Sequence, residues 1–525
     1  MSAETLKRPN ENGDSIYQWT ALAVLVIGTF MVILDSSIVN VAIPKMMNVF
    51  SIDVDQSKWI ITIYSLTMGA IIPLAGYMTR RFGPKNVYIA SMFMFTLGSF
   101  LCGFSGSFQM MLLARVIQAA GGGMISPVSM SLIYDIFPIE KRGMALGFWG
   151  IAAMAAPTIG PTLGGYIIEA LNWHMIFYIN LPIGIIGIIL SWIILKSTEG
   201  KKDAPFDPIG FATVAIGMAS CLYVLGEGSS IDWSDIKNIL LLVLGIGSLI
   251  MFVINELYHP HPMLDIRVLK YSKFTMSVIT SSVINMALVG LVFVMPLYLQ
   301  NLRGLTAMQT GLVMFPSAMA TGIMMPLSGK LYDKFGSKMV ILPGLSILVL
   351  ATWLLSGITP DTSLHVISSY LVIRGLGIGL AMMPITTEGM NIIPAPKVAE
   401  ASALSNAVRQ IASSLGVTIM TTLMTNFQIE RLARFTEAIN PSNTTMMSAI
   451  AGLQKLMIAS GANGNAAYSY IMGILQQRAF SDSVKFTITI STFIALLTIP
   501  LSLTMKSTPK TDTMKSEVSH ESIIH

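Results

Sequence analysis

Charged residues are scarce in this sequence. Asp, Glu, Lys and Arg make up 11% of its 525 residues, and hydrophobic residues make up 53%. Soluble globular proteins carry about 25% charged residues. A water-soluble core cannot bury so much apolar surface, so lipid must solvate part of the chain. The composition therefore excludes an ordinary soluble protein.

Other absences exclude further classes. Only two cysteines are present, Cys102 and Cys221, both inside apolar runs, so a disulfide framework or a metal cluster is not supported. No pair of histidines has the helical spacing of metal ligands. The sequence lacks a G-x-x-x-x-G-K-[ST] segment and a polar stretch long enough for a nucleotide-binding domain, which argues against an ATP-driven pump. We also find no Ser/His, paired-Asp or metal cluster that would indicate an intramembrane enzyme.

Long apolar runs are abundant. Fourteen runs of about 20 residues have the length of a membrane-crossing helix, which predicts an all-α integral membrane protein with fourteen transmembrane helices. The predicted spans are 20–44, 58–78, 86–105, 108–133, 143–168, 174–195, 208–227, 237–256, 274–298, 307–328, 338–356, 364–388, 400–425 and 484–505. Residues 1–19 and 506–525 then form tails, and 426–483 forms a long loop.

The basic residues orient these spans. An even number of spans places both tails on one side, and most lysines and arginines lie in the tails and in the loops of that side. The short loops opposite contain only Lys45, Lys58, Lys237 and Arg303. Because basic loops stay in the cytoplasm, we expect both termini to be cytoplasmic. The basic residues of the cytoplasmic loops and tails then account for the net charge of +5, and no nucleic-acid partner is expected.

A weak internal repeat divides the chain. GYMTRRFGPK (76–85) resembles GKLYDKFGSK (329–338), and an arginine inside a later span follows each copy, Arg115 and Arg374. The repeat predicts two pseudo-symmetric six-helix halves, 20–200 and 262–505, with two extra helices inserted in 201–261. Repeated halves around a midplane site are typical of secondary transporters. The motif positions are Gly76, Arg80, Arg81, Gly83 and Lys85 in the first copy, and Gly329, Asp333, Gly336 and Lys338 in the second.

The role of the loop motif has two interpretations. Its glycines suit a tight turn and close helix approach. Its basic residues either hold helix C-termini and acidic partners in one of two conformational states, or serve only as a positive-inside anchor.

Asp35 is the most informative single residue. A carboxylate well inside a span costs several kcal/mol unless it is paired, hydrated or protonated, so it is a functional candidate. Counting from the span ends places Asp35, Arg115 and Arg374 in a similar layer. If alternating exposure changes its surroundings, Asp35 can load and release a proton. The alternative is a fixed ion pair that does not titrate.

Two further intramembrane charges, Glu388 and Arg409, are candidates for a hydrated inner cavity, although Glu388 fits an interfacial position equally well. The inserted helices contain no central charge and are expected to face lipid, with Asp207 capping the first of them. Three glutamates at span ends are expected to be solvated; they are Glu169, Glu227 and Glu256.

The fifth span contains the stretch AMAAPTIGPTLGGY (153–166), which is unusually rich in helix-weakening residues. Small residues allow helix backbones to approach closely in lipid, and prolines bend a helix whose freed carbonyls neighbours can satisfy. The pattern has no counterpart in the second half, which favours a role in transport direction. The positions are Gly147, Ala156, Gly160, Pro161, Gly164 and Gly165.

These motifs together resemble the drug:proton antiporters of the fourteen-helix class in the major facilitator superfamily, the EmrB/QacA group. LDSSIVNVAIP matches the first-helix motif, RVIQAAGGGMISP the fourth-helix motif and NWHMIFYINLPIG the start of the sixth helix. The fifth-span pattern matches the antiporter motif G-x8-G-x3-G-P-x2-G-G, with Ala156 in place of one glycine. In the loop motif, Arg80 stands where the family pattern is acidic, and Asp333 keeps that acid in the second copy.

The resemblance implies a multidrug efflux transporter of the bacterial cytoplasmic membrane. It would expel amphipathic compounds in exchange for protons, with Asp35 and Arg115 in proton coupling, no cofactor and a cavity rich in methionine. The alternatives are an exporter of one specific metabolite, and a facilitator or importer of the same fold. Loop 426–483 either contacts a periplasmic adaptor or covers the outer mouth.

Overall fold

A computed structural model gives the fold of the chain. It describes residues 11–52, 54–138, 141–197, 200, 205–227, 231, 234–260, 262–394, 397–437, 447–448, 451–452, 454–455 and 466–504. The regular elements of this part are helices, and the major ones are numbered in chain order. They are α1 (Glu11–Phe50), α2 (Val54–Ile71), α3 (Leu74–Phe82), α4 (Pro84–Gly103), α5 (Phe108–Ile136), α6 (Arg142–Ala170), α7 (Met175–Tyr178), α8 (Asn180–Ile194), α9 (Pro208–Glu227), α10 (Ile236–Tyr258), α11 (Ser272–Leu297), α12 (Ala307–Phe335), α13 (Ser337–Ser356), α14 (Leu364–Met390), α15 (Val398–Glu437), α16 (Ala466–Leu496) and α17 (Thr498–Leu503).

Each predicted span coincides with one helix or with two consecutive helices. Among the described residues, eleven helices are long and apolar enough to cross a membrane, or twelve with the bent pair α2 and α3. This agrees with the predicted all-helical membrane fold, and the count of fourteen is not confirmed exactly. The bend between α2 and α3 is 55° and lies at Pro73, which has no N–H to donate to the preceding turn.

Local sequence explains where several helices begin. The Ser107 side chain accepts from the Met110 N–H at the start of α5, and Thr306 and Gln309 form a reciprocal capping box at the start of α12. Gly83 and Gly336 occupy the same position in the two copies of the loop motif. Both have positive φ, 80° and 82°, which glycine adopts at little cost. We call the end of the bundle that holds these two turns the basic end.

The helices pack as two halves with an inserted pair. In the first half α1 packs on α6 and α4 on α5; in the second, α12 and α13 pack on α14 and α11 on α15. The inserted α9 packs against α2 and α15, whereas most of α10 is exposed. Helix α9 buries Val214, Met218 and Leu222 on one face, while Ile209 and Ile216 are exposed, so only part of its surface is available to lipid.

Two further expectations need correction, the one for loop 426–483 and the one for Glu256. The predicted loop 426–483 is helical at both ends, because α15 continues to Glu437 and α16 begins at Ala466; hydropathy marks the lipid-facing length and not the end of a helix. Asp207 does cap α9 through the Gly210 N–H. Glu256 is fully buried rather than solvated, because the loop after α10 folds back and the Leu264 N–H donates to it. Glu169 is exposed as expected, and the side chain of Glu227 lies outside the described part.

Candidate functional site

Asp35 lies in a closed polar network inside the first half. Its side chain is 0% exposed, and its Oδ2 is 2.7 Å from Nη1 of Arg115, which is 1% exposed. Its Oδ1 accepts from Nε2 of Gln118 at 2.9 Å and from Nδ2 of Asn180 at 2.8 Å. Three donors therefore compensate a charge that would otherwise be very costly in lipid.

Five helices supply this network. Asp35 lies on α1 and Arg115 and Gln118 on α5, while α8 contributes Asn180 and α4 contributes Ser99, whose hydroxyl accepts from Gln118 at 2.7 Å. On α2, the Ile60 carbonyl accepts from Nε of Arg115, and the Tyr64 ring lies under its guanidinium at 4.0 Å. A change in the charge of Asp35 would therefore alter the interactions of groups on all five helices.

Sequence reasoning did not identify three members of this network: Gln118, Asn180 and Ser99. Gln118 follows Arg115 by three residues, so it shares a helix face, and this signal could have found it. Asn180 lies in the INLP segment of the sixth-helix motif, but nothing in its spacing indicates Asp35 as its partner. Cys102 also belongs to this layer, where its thiol donates to Oε1 of Gln118.

A cavity of about 270 Å³ lies between the two halves. Helices α1, α2, α5 and α6 line it from the first half, and α11, α12, α14 and α15 from the second. Five of its lining side chains are methionines: Met68, Met130, Met325, Met382 and Met383. The charged lining residue is Arg409, whose Nη2 donates to Oδ1 of Asn406 at 2.7 Å. Flexible thioethers can adapt to apolar ligands of different shape.

Glu388 lies away from this central cavity. It accepts from the Tyr332 hydroxyl at 2.8 Å and is 3.7 Å from the ammonium of Lys273, at the basic end of the second half. Of the two intramembrane charges, Arg409 therefore lines the central cavity and Glu388 does not.

Arg374 is the counterpart of Arg115 in the second half, but its surroundings differ. It is 4% exposed and makes one long hydrogen bond, 3.4 Å from its Nη2 to the Ala287 carbonyl. Its Nε has no acceptor among the described residues. Within the described part of the chain, no carboxylate approaches it to ion-pair distance.

The first loop motif contacts the opposite half at the basic end. Gly76 packs against the backbone of Glu400 on α15, and Nη1 of Arg80 forms an ion pair with the Glu400 carboxylate. Nη2 of Arg80 donates to the Pro262 carbonyl at 2.9 Å. Where the family pattern has an acidic residue, this chain has the basic Arg80, and the acid that pairs with it is Glu400 on α15. Glu400 carries no signal in the sequence that would pair it with Arg80.

The remaining motif residues have simpler places. Lys85 donates to the Trp192 carbonyl, the Arg81 guanidinium lies over the ring of Phe82, and Lys338 is exposed. The side chain of Asp333 lies outside the described part of the chain. Gly329 repeats the role of Gly76, since it packs backbone to backbone on Gly143 at the start of α6.

The fifth-span motif lies on α6, between α1 and α12. Gly147 faces Pro326 of the second half, and a Cβ there would come within 2.7 Å of the proline Cα. Gly160 and Gly164 pack on Ser37 and Ile38 of α1, two and three residues beyond Asp35. Ala156 is buried, Gly165 has open space beside it, and the side chain of Pro161 lies outside the described part.

The comparisons with known proteins agree with this architecture. A family model for the Major Facilitator Superfamily matches residues 25–417. YhcA of Bacillus subtilis, an uncharacterized MFS-type transporter, is 37% identical over 463 residues, 88% of this chain and 87% of that protein. The multidrug export protein EmrB of Haemophilus influenzae is 34% identical over 447 residues, 84% of this chain and 86% of its own. The solved structure of human MFSD10, an organic anion transporter, covers 92% of this chain and 99% of that chain with a TM-score of 0.60 at 12% identity, which shows the fold alone. The resemblance inferred from the motifs is thus confirmed, and the chain is a membrane transporter that belongs to the major facilitator superfamily.

Proposed function

We propose that this transporter exports amphipathic compounds across the bacterial cytoplasmic membrane in exchange for protons that bind Asp35. The observation that carries the proposal is the buried carboxylate of Asp35, held by three donors on a helix that also lines the central cavity. The similarity to EmrB, named a multidrug export protein, supports export of drug-like cargo.

Proton binding would act on the cavity through shared helices. Protonation removes the negative charge of Asp35 and weakens its attraction to Arg115, so the network across five helices loosens. Val32 on α1 and Ile125 on α5 line the cavity, so movement of these helices changes the cargo site. A coupling of this kind needs proton and cargo to favour different arrangements of the same helices.

The basic end lies in the cytoplasm in this proposal, because lysines and arginines concentrate there. Its contacts hold the halves together: Arg80 binds Glu400, and Gly329 meets Gly143. Cargo would enter the cavity from the cytoplasm when these contacts separate, and leave when they form again.

Export of several compounds is supported by the similarity to EmrB and by the five methionines in the cavity wall, whose flexible side chains adapt to different ligands. The wall also contains polar side chains, among them Asn285, Arg409 and Gln410, which can orient a polar group of the cargo.

The test is transport by purified protein in liposomes with an imposed pH difference. A fluorescent amphiphile that the wild type moves, ethidium or a sulfonated dye, reports transport. We expect Asp35→Asn to lose the response to the pH difference while its expression and melting profile remain measurable. Asp207→Asn is the matched control, because it neutralises another buried carboxylate at a position where asparagine still caps the helix. A normal pH response in Asp35→Asn would exclude Asp35 as the proton site, and cargo movement by the wild type that ignores the pH difference would exclude proton coupling.

A further inference from the structure

The two copies of the repeat differ at the residue that faces the intramembrane arginine. Asp35 lies 41 residues before Gly76, and Leu288 lies 41 residues before Gly329. In the same way Gln118 follows Arg115 by three residues, and Gly377 follows Arg374 by three. The second half has therefore kept the cation, while a leucine and a glycine stand where the first half has its acceptors.

The equivalent place in the second half is a small cavity. Its volume is about 70 Å³, and Arg374 and Leu288 both line it. This is several times the space that one water molecule needs on the same measure, so the cavity can hold a halide ion or a single carboxylate group. The rest of the wall is mostly apolar: Leu291, Val292, Met295, Met314, Ala318, Leu371 and Ile378.

The two hydroxyls in this wall do not satisfy the arginine. Ser317 donates to the Leu371 carbonyl at 2.7 Å, and Thr321 donates to the Ser317 carbonyl at 2.9 Å. The guanidinium is thus the strongest donor that reaches the cavity. A buried cation without a counter-charge is costly, and an anion from outside the chain would offset that cost.

We propose that this cavity binds one monovalent anion against Arg374, in the position that the Asp35 carboxylate occupies in the first half. The anion is either a free halide or the acidic group of a cargo molecule, which present the same chemistry to the guanidinium. The cavity adjoins the central one along α11, α12 and α14. On α12, Thr321 lines the smaller cavity and Met325, one turn further, lines the larger.

The experiment measures the melting temperature of the full chain in lipid nanodiscs at constant ionic strength, with sodium chloride or bromide replacing sodium gluconate, an anion whose hydroxyl-rich chain would lose its hydration against the apolar wall. A ligand that binds only the folded state raises the melting temperature, and we expect a rise of about 2–4 °C with halide. Arg374→Gln should abolish the rise, and Arg409→Gln, which removes the cation of the other cavity, should retain it.

A second pair of variants keeps the test informative if Arg374→Gln does not fold. Leu288→Asp supplies an internal counter-ion and should abolish the halide response, whereas Leu288→Asn, of the same size and uncharged, should keep it. The proposal is overturned if the wild type does not respond to halide, or if the response persists in Arg374→Gln or in Leu288→Asp.

Competition then identifies the source of the anion. If chloride displaces a bound anionic amphiphile such as an anilinonaphthalene sulfonate, the acidic group of the cargo uses this site. If the dye binds equally well in chloride and gluconate while the halide response is present, the site takes the free anion. Both results support the anion site, and neither depends on proton coupling, because the readout is binding and not transport.

Discussion

Arg115 and Arg374 occupy equivalent places in the two halves, yet one is surrounded by acceptors and the other by hydrocarbon. Arg115 has Asp35, Gln118 and a backbone carbonyl around it, whereas Arg374 has one distant carbonyl and a small apolar cavity. A structural repeat can thus keep a charge in both copies and give it a different partner in each. The first half neutralises its arginine internally, and the second leaves it available to a ligand.

Replacing each arginine by leucine tests this contrast directly. Removing one member of a buried ion pair costs about 3–5 kcal/mol, because the other charge remains buried. Arg115→Leu, which strands Asp35, should therefore lower the melting temperature strongly in sodium gluconate. Arg374→Leu should leave it unchanged or raise it, since that arginine has no ionic partner within the described residues. Equal losses in the two variants would contradict the difference between the halves.

The loop-motif glycines Gly76 and Gly329 differ in how closely their neighbours approach. A Cβ on Gly329 would lie 2.5 Å from the Gly143 backbone, whereas a Cβ on Gly76 would lie 3.2 Å from the movable Glu400 side chain and 3.3 Å from its Cα. Overpacking costs about 1–3 kcal/mol where neighbours cannot move. Gly329→Ala should thus slow transport in liposomes clearly and Gly76→Ala only slightly. A stronger defect in Gly76→Ala would reverse the assignment of the tighter contact.

The third prediction concerns the Arg80–Glu400 pair, which joins the halves at the basic end. Arg80 has 29% of its side chain exposed, so solvent screens the interaction and we expect it to contribute about 0.5–1 kcal/mol. Glu400→Gln should lower the melting temperature slightly. It should also clearly increase the labelling of a cysteine introduced at the basic end.

The reversed pair, Arg80→Glu with Glu400→Arg, is the matched control for this contact. It restores opposite charges and should recover part of the protection. If Glu400→Gln leaves labelling at the wild-type level, the ion pair does not hold the halves together.

We expect the substitution of Gly165 by alanine to have almost no effect on transport. It is part of the fifth-span motif, but a Cβ there meets no atom of the described residues within 4 Å. Gly165→Ala should leave transport unchanged and raise stability by up to about 1 kcal/mol, because alanine favours helix more than glycine does. Gly147→Ala is the contrasting variant, since its Cβ would meet the Pro326 backbone. A transport defect in Gly165→Ala equal to that of Gly147→Ala would show that packing does not explain the motif.

The sequence predicts the spans well, because lipid imposes a length and an apolar composition on each helix. It also identifies Asp35, Arg115 and Arg374 as unusual, because a charge inside an apolar run is visible without any structure. The partners of these three residues cannot be identified from the sequence in this way. Which residue faces which depends on helix rotation and on contacts between elements far apart in the chain, such as Asp35 with Asn180.

The errors have the same origin. Glu256 is near the end of an apolar run and reads as solvated, but the segment that follows it folds back over its carboxylate. The role of Glu400 goes unrecognised in the sequence for the same reason, because a helix from the other half brings Arg80 to it. Hydropathy describes a helix in isolation, whereas burial at its end is decided by its neighbours.

The burial of both native cysteines has a practical consequence. Cys102 is enclosed beside Gln118, and Cys221 lies in the contact between α9 and α10. Maleimide reagents added to intact cells will therefore react slowly with the unmodified chain. A single engineered thiol can then report which face of the transporter is open, in a background that retains every native residue.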